Sequence, residues 1–113
     1  MVGGLIILPE GASFSDYQAY IKALEEKKGW LDVDLVHNCF FLGEEMGELF
    51  KAVRSHTRLA TETGSKTANT QEIAYEIVDI LNYLISISNR LDIDIEQAFR
   101  EKNAINQKRS WSS

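Results

Sequence analysis

Ile73-Ala-Tyr-Glu76-Ile77-Val-Asp79-Ile80-Leu-Asn82-Tyr83-Leu84-Ile-Ser-Ile87-Ser-Asn89-Arg-Leu91 decides the fold. Ile73, Ile77, Ile80, Leu84, Ile87 and Leu91 recur every three or four residues, the spacing of one face of an α-helix. Asn69-Thr-Gln-Glu72 precedes the run and offers a capping box to start it. Upstream, Leu35, Cys39, Leu42, Met46, Leu49 and Val53 repeat the same period, predicting a second long helix from about Asp34 to Leu59, about 38 Å at 1.5 Å per residue. Two such stripes pack antiparallel, and the polar segment Ala60–Thr70 between them, with Gly64, Ser65 and several threonines, reads as a mobile loop long enough for the reversal.

The flanks complete an all-α, four-helix plan. Ser15-Asp-Tyr-Gln18 matches a capping box for a helix over about 15–28, closed by Lys27, Lys28 and the left-handed stop Gly29. Asp94-Ile-Glu-Gln97 opens a fourth helix carrying Ala98, Phe99, Lys102 and Ile105, before a polar tail from Lys108. No strand-like alternation or internal repeat is visible. The 113 residues are expected to form a single domain, 1–113, with its core at about 15–109. The apolar faces are extensive for that length, which predicts a homo-oligomer, a dimer or a tetramer.

Composition excludes several classes. A net charge of −5, from 12 basic and 17 acidic residues, argues against a nucleic-acid or anionic-membrane binder. Leu5-Ile6-Ile7-Leu8 is too short for a signal segment, lacks a basic flank and ends at Pro9, so a cytoplasmic location is expected. The lone Cys39, among Val36, Phe40 and Leu42, reads as a core residue in a reducing compartment; His37 and His56 give it no evident catalytic partner. Asp34-Leu-Val-His37 reads as a helix cap followed by a packed or surface histidine.

The chemistry lies in two acid pairs, Glu45-Met-Gly-Glu48 and Glu76-Ile-Val-Asp79. Acids three apart stand on one helical face, and like charges there repel. If the two helices meet at this level, four carboxylates converge. An all-oxygen set without His or Cys suits Mg²⁺ or Mn²⁺ rather than zinc. A di-iron bundle needs Glu-x-x-His on two helices, which neither motif supplies. Glu44 lies about 100° round the helix from Glu45 and reads as an outer acid.

Leu42-Gly-Glu44-Glu45-Met-Gly-Glu48-Leu49, followed 27 residues later by Glu76-Ile-Val-Asp79-Ile-Leu-Asn82-Tyr83, resembles the MazG-like nucleotide pyrophosphohydrolases of the all-α NTP pyrophosphatase superfamily. The resemblance continues through Asn89–Asp94 and the spacing of Lys102, Asn106 and Arg109, covering about 15–109. It implies an oligomeric bundle that cleaves a nucleoside triphosphate between the α and β phosphates, with Mg²⁺ held by Glu45, Glu48, Glu76 and Asp79. It places Asn82, Tyr83, Lys102, Asn106 and Arg109 with the substrate. One carboxylate accepts the proton of the attacking water; Glu48 is favoured over Glu45, and the sequence leaves the choice open. Trp30 resembles an aromatic preceding the second helix in this family and admits two readings, a stacking surface for a base or a lid on the core. The residues do not disclose which base or sugar is preferred; the resemblance makes dCTP, dATP and dUTP the first to test, since deoxynucleotides are frequent targets of small members of that family. Phosphoribosyl-ATP pyrophosphohydrolase is a relative with a biosynthetic role, and a non-catalytic helical dimerisation module is the alternative from a different class.

Overall fold

A computed structural model describes residues 4–58 and 69–109. Four helices account for most of them, with no strand among the described residues: α1 (Phe14–Lys28), α2 (Leu35–Arg58), α3 (Thr70–Arg90) and α4 (Ile95–Lys108). A single 3₁₀ turn, Trp30–Asp32, links α1 to α2. The expected loop over 60–70 falls outside the described residues up to position 68, as does Trp111.

The helix ends follow their sequence signals, with one shift. Asn69 and Asp94 cap α3 and α4 by accepting from the Glu72 and Gln97 backbone N–H groups, and Asp34 caps α2 by accepting from the His37 N–H. Gly29 closes α1 at φ 72°, a left-handed conformation that costs a residue with a Cβ. The start of α1 corrects the expectation. Ser13, not Ser15, is the cap: its Oγ accepts from the Asp16 N–H at 3.2 Å while the Asp16 carboxylate accepts from the Ser13 N–H at 2.9 Å. Short acids fill the reciprocal position as glutamine would, and Gln18 is occupied elsewhere. Its Nε2 donates to Asn89 Oδ1 and the Ile93 carbonyl, and its Oε1 accepts from the Ile95 N–H. Gln18 thereby stitches α1 to the turn between α3 and α4, where Asp92 adopts φ 55°.

α2 and α3 form the main pair and run antiparallel. Asn38 meets Ser86, Phe41 meets Tyr83, and Glu45 meets Glu76 and Asp79, so positions rise on one helix as they fall on the other. α1 crosses α3, and α4 packs on α1. Among the described residues, the buried apolar side chains are Ile21 of α1 and Ile85 of α3.

Two expected core rows are rotated relative to the structure. On α2 the residues facing α3 run Asn38, Leu42, Glu45, Leu49; Cys39 lies one residue round and is exposed in this chain, not core. On α3 the polar row Glu76, Asp79, Ser86 faces the neighbouring helices, while Ile77, Leu84 and Leu91 of the apolar stripe stay exposed. Periodicity finds a helix and its apolar side; it cannot tell which apolar side this chain covers by itself.

Candidate active site

The acid pairs meet where the α2–α3 register brings them level. Carboxylate oxygens of Glu45, Glu76 and Asp79 lie within 4.8 Å of one another. Glu76 Oε2 is buried without a hydrogen-bond partner, a costly state for a carboxylate oxygen unless a cation or donor approaches it. The hydrogen bond with Glu76, burial, and the negative charges of Glu76, Asp79 and Glu48 push the Glu45 carboxyl up to about 7. All donors are hard oxygens, the set that suits Mg²⁺ or Mn²⁺, so these residues fit a divalent ion.

Glu48 stands apart. It is exposed, and its charge acts on Glu45, but its carboxylate is outside the three-way cluster. Three acids converge with a fourth beside them. Tyr83 lies next to the cluster, its phenol pushed up by burial and then by the charges of Glu45, Asp79 and Glu44, so at neutral pH it is an O–H donor.

A cavity of about 450 Å³ opens beside the acids, lined by Trp30, Phe41, Asp79, Asn82 and Tyr83 among others. Asp79 belongs to both cavity and cluster, so the two are continuous. Trp30 is held at the cavity from α3: Arg90 donates to its carbonyl at 3.2 Å and also to the Val33 carbonyl. Trp30 is 51% exposed. A larger groove, about 840 Å³, runs between α1, α3 and α4 past Phe14, Tyr17 and Phe99; none of the clustered acids lines it.

The chain does not gather every residue the sequence assigned to substrate. Lys102 is exposed on α4, Asn106 donates to Asn103 Oδ1, and Arg109 follows the end of α4; none of the three lines the cavity beside the acids. His37 bonds its own cap, Asp34, away from the cluster. Sequence reasoning missed Glu25, Asn38 and Ser86, buried polar residues that line the cavity, and the half-buried Arg90 beside Glu25. The available signal was Asn38 and Ser86 standing inside otherwise apolar helical runs.

The profile of the MazG nucleotide pyrophosphohydrolase domain matches residues 37–110, the span that holds all but the first two residues of α2, both acid pairs, α3 and α4. This chain belongs to the MazG family. Among curated relatives it is 26% identical over 90 residues to the uncharacterized protein YvdC of Bacillus subtilis (strain 168), covering 76% of this chain and 85% of that protein. It is 32% identical over 69 residues to a dATP/dGTP diphosphohydrolase of Cyanophage S-2L, covering 61% of this chain and 50% of that enzyme, so the match spans half that relative's length. No solved structure matches. The MazG match supports nucleotide pyrophosphohydrolase activity, and the acids lie inside the matched span. No described helix is long and apolar enough to cross a membrane.

Proposed function

We propose that this chain hydrolyses nucleoside triphosphates at the α phosphorus, with Mg²⁺ or Mn²⁺, releasing the monophosphate and pyrophosphate and so clearing particular nucleotides from the pool. The observation that carries this is the cluster of Glu45, Glu76 and Asp79 within 4.8 Å, continuous with a cavity large enough for a nucleoside. These three residues would hold the cation, with Glu48 at the margin. When bound, it supplies positive charge to the phosphate oxygens and acidifies the attacking water.

The chain's own groups divide the remaining work. Glu48, exposed and outside the cluster, accepts the proton as water oxygen bonds to the α phosphorus and the bond to the bridging oxygen breaks. Tyr83 donates its O–H to a phosphate oxygen, and Asn82 offers an amide from the same cavity wall. Trp30 and Phe41 present aromatic surface at the other end. Lys102, Asn106 and Arg109, away from the cavity in a single chain, meet the polyphosphate in a site completed by a second copy. The cyanophage relative's name, dATP/dGTP diphosphohydrolase, supports deoxynucleotides as the substrate class. A module serving only to dimerise gains nothing from three acids forced together, which favours the enzyme.

A panel of nucleoside triphosphates, with pyrophosphate and orthophosphate detected separately, tests the proposal. Pyrophosphate and monophosphate should appear in equal amounts and only with the divalent ion. Release of orthophosphate and diphosphate first would overturn the assigned bond, and preference for phosphoribosyl-ATP would move the enzyme to biosynthesis.

A further inference from the structure

The inner end of the cavity is polar in a way that phosphate hydrolysis does not require. Glu25, on α1, is only 7% exposed. Its Oε2 accepts from the Ser86 O–H at 2.7 Å, Ser86 Oγ accepts from the Asn38 amide at 3.0 Å, and the Arg90 guanidinium lies 3.9 Å from Oε2. Glu25 Oε1 is buried without a partner. Glu25, Asn38 and Ser86 line the cavity that Asp79 enters from the acid cluster and that Trp30 and Phe41 flank. We infer that this cavity takes the base of the nucleotide, and that Glu25 selects bases bearing an exocyclic amino group over uracil and thymine. The inference rests on the function proposed above.

The chemistry of one oxygen carries the selection. A carboxylate oxygen only accepts hydrogen bonds, and one left unpartnered in a buried site is costly until an N–H reaches it. Arg90 offsets the charge of Glu25, and Ser86 fixes its other oxygen, so the free oxygen is held in place before a ligand arrives. Adenine, cytosine and guanine each carry an amino group that points N–H outward. Uracil and thymine carry carbonyl oxygens instead, and their one ring N–H lies between two of them, so approach sets lone pairs against the carboxylate. A site built to pair one polar edge rejects the analogue that leaves its buried group unpaired. Asp79 at one end and Glu25 at the other place phosphates and base in the same cavity.

The test compares dATP, dCTP, dGTP, dUTP and dTTP by kcat/KM with Mg²⁺. At least one amino-bearing substrate should exceed both dUTP and dTTP by tenfold or more in the parent protein. Glu25→Gln keeps the shape and an acceptor for Ser86 but adds a donor, and should reduce that preference to under threefold. Ser86→Ala, which removes the hydrogen bond that fixes Oε2 and lets the carboxylate turn, should weaken that preference without abolishing it. A second readout needs no turnover: deoxyadenosine and deoxycytidine, titrated without metal, should shift the Trp30 indole resonance at concentrations where thymidine does not. Hydrolysis with dUTP or dTTP equal or preferred would overturn the base assignment while leaving the proposed function intact. Nucleoside discrimination without hydrolysis of any triphosphate would sink the proposed function and keep the base site. Discrimination that survives Glu25→Gln, or no ordering among nucleosides in an inactive protein, would remove Glu25 as the selector.

Discussion

Glu45 carries the tension in the cluster. Its carboxyl, raised from 4.5 to about 7 by the hydrogen bond with Glu76, by burial and by neighbouring charge, keeps a proton in the folded chain where the unfolded chain has lost it. Between those values the folded state binds more protons, so stability falls as pH rises through the window. The metal-free protein should therefore melt at a lower temperature at pH 7.5 than at pH 5, and Mg²⁺ should recover more of that loss at the higher pH, since cation and proton compete for the same oxygens. Glu45→Gln should flatten the pH dependence, leave the metal-free protein as stable as the parent or more so, and shrink the magnesium-induced rise in melting temperature. Glu48, outside the cluster, separates the two roles. Glu48→Gln should lower kcat at least 100-fold, about 3 kcal/mol of transition-state stabilisation, while keeping most of the magnesium shift. Thermal melts across pH, with and without Mg²⁺, beside the hydrolysis assay, check all of this; an unchanged magnesium shift in Glu45→Gln would exclude it as a ligand.

At the scale of elements, the sequence carries most of the fold because helix signals are local. The four helices, the caps at Asp34, Asn69 and Asp94, and the left-handed stop at Gly29 each follow from a few adjacent residues. The acid pairs are legible for the same reason: three-residue spacing fixes their common face. What the sequence withholds depends on which helix lies opposite. The shift from Ser15 to Ser13 shows this, because Ser15-Asp-Tyr-Gln18 is a sound capping box whose Gln18 is claimed by Asn89, Ile93 and Ile95, more than 70 residues away. Ser13→Ala should accordingly cost about 1 kcal/mol, whereas Ser15→Ala should stay within about 0.5 kcal/mol as an ordinary surface change. Denaturant melts of the pair decide which serine is the cap. The cavity was hidden on the same grounds: Glu25, Asn38, Ser86 and Arg90 come from three helices and are joined only by packing.

For the whole molecule, the question is what lies against the side of α2 that faces away from α3. Val36, Phe40, Gly43, Gly47 and Phe50 share one face, opposite the row of Asn38, Leu42, Glu45 and Leu49 that meets α3. Phe40 and Phe50 are 63% and 64% exposed, and a Cβ placed on either glycine would meet nothing within 4 Å. Two glycines inside a helix weaken it by about 1 kcal/mol each relative to alanine, and nothing in the single chain needs them there. Small residues between aromatics let another helix approach closely, so this face is expected to be covered by a second copy, as the exposed apolar stripe of α3 also suggests. Gly43→Leu makes the two possibilities move in opposite directions. In an isolated chain the substitution favours the helix and should raise the melting temperature. In an assembly packed on this face it fills the space the partner helix needs, so the melting temperature should fall and become more dependent on concentration, with lighter species in sedimentation at micromolar concentration. A parent protein that sediments as a folded, active monomer, with Gly43→Leu more stable than it, would show that α2 works with this face bare.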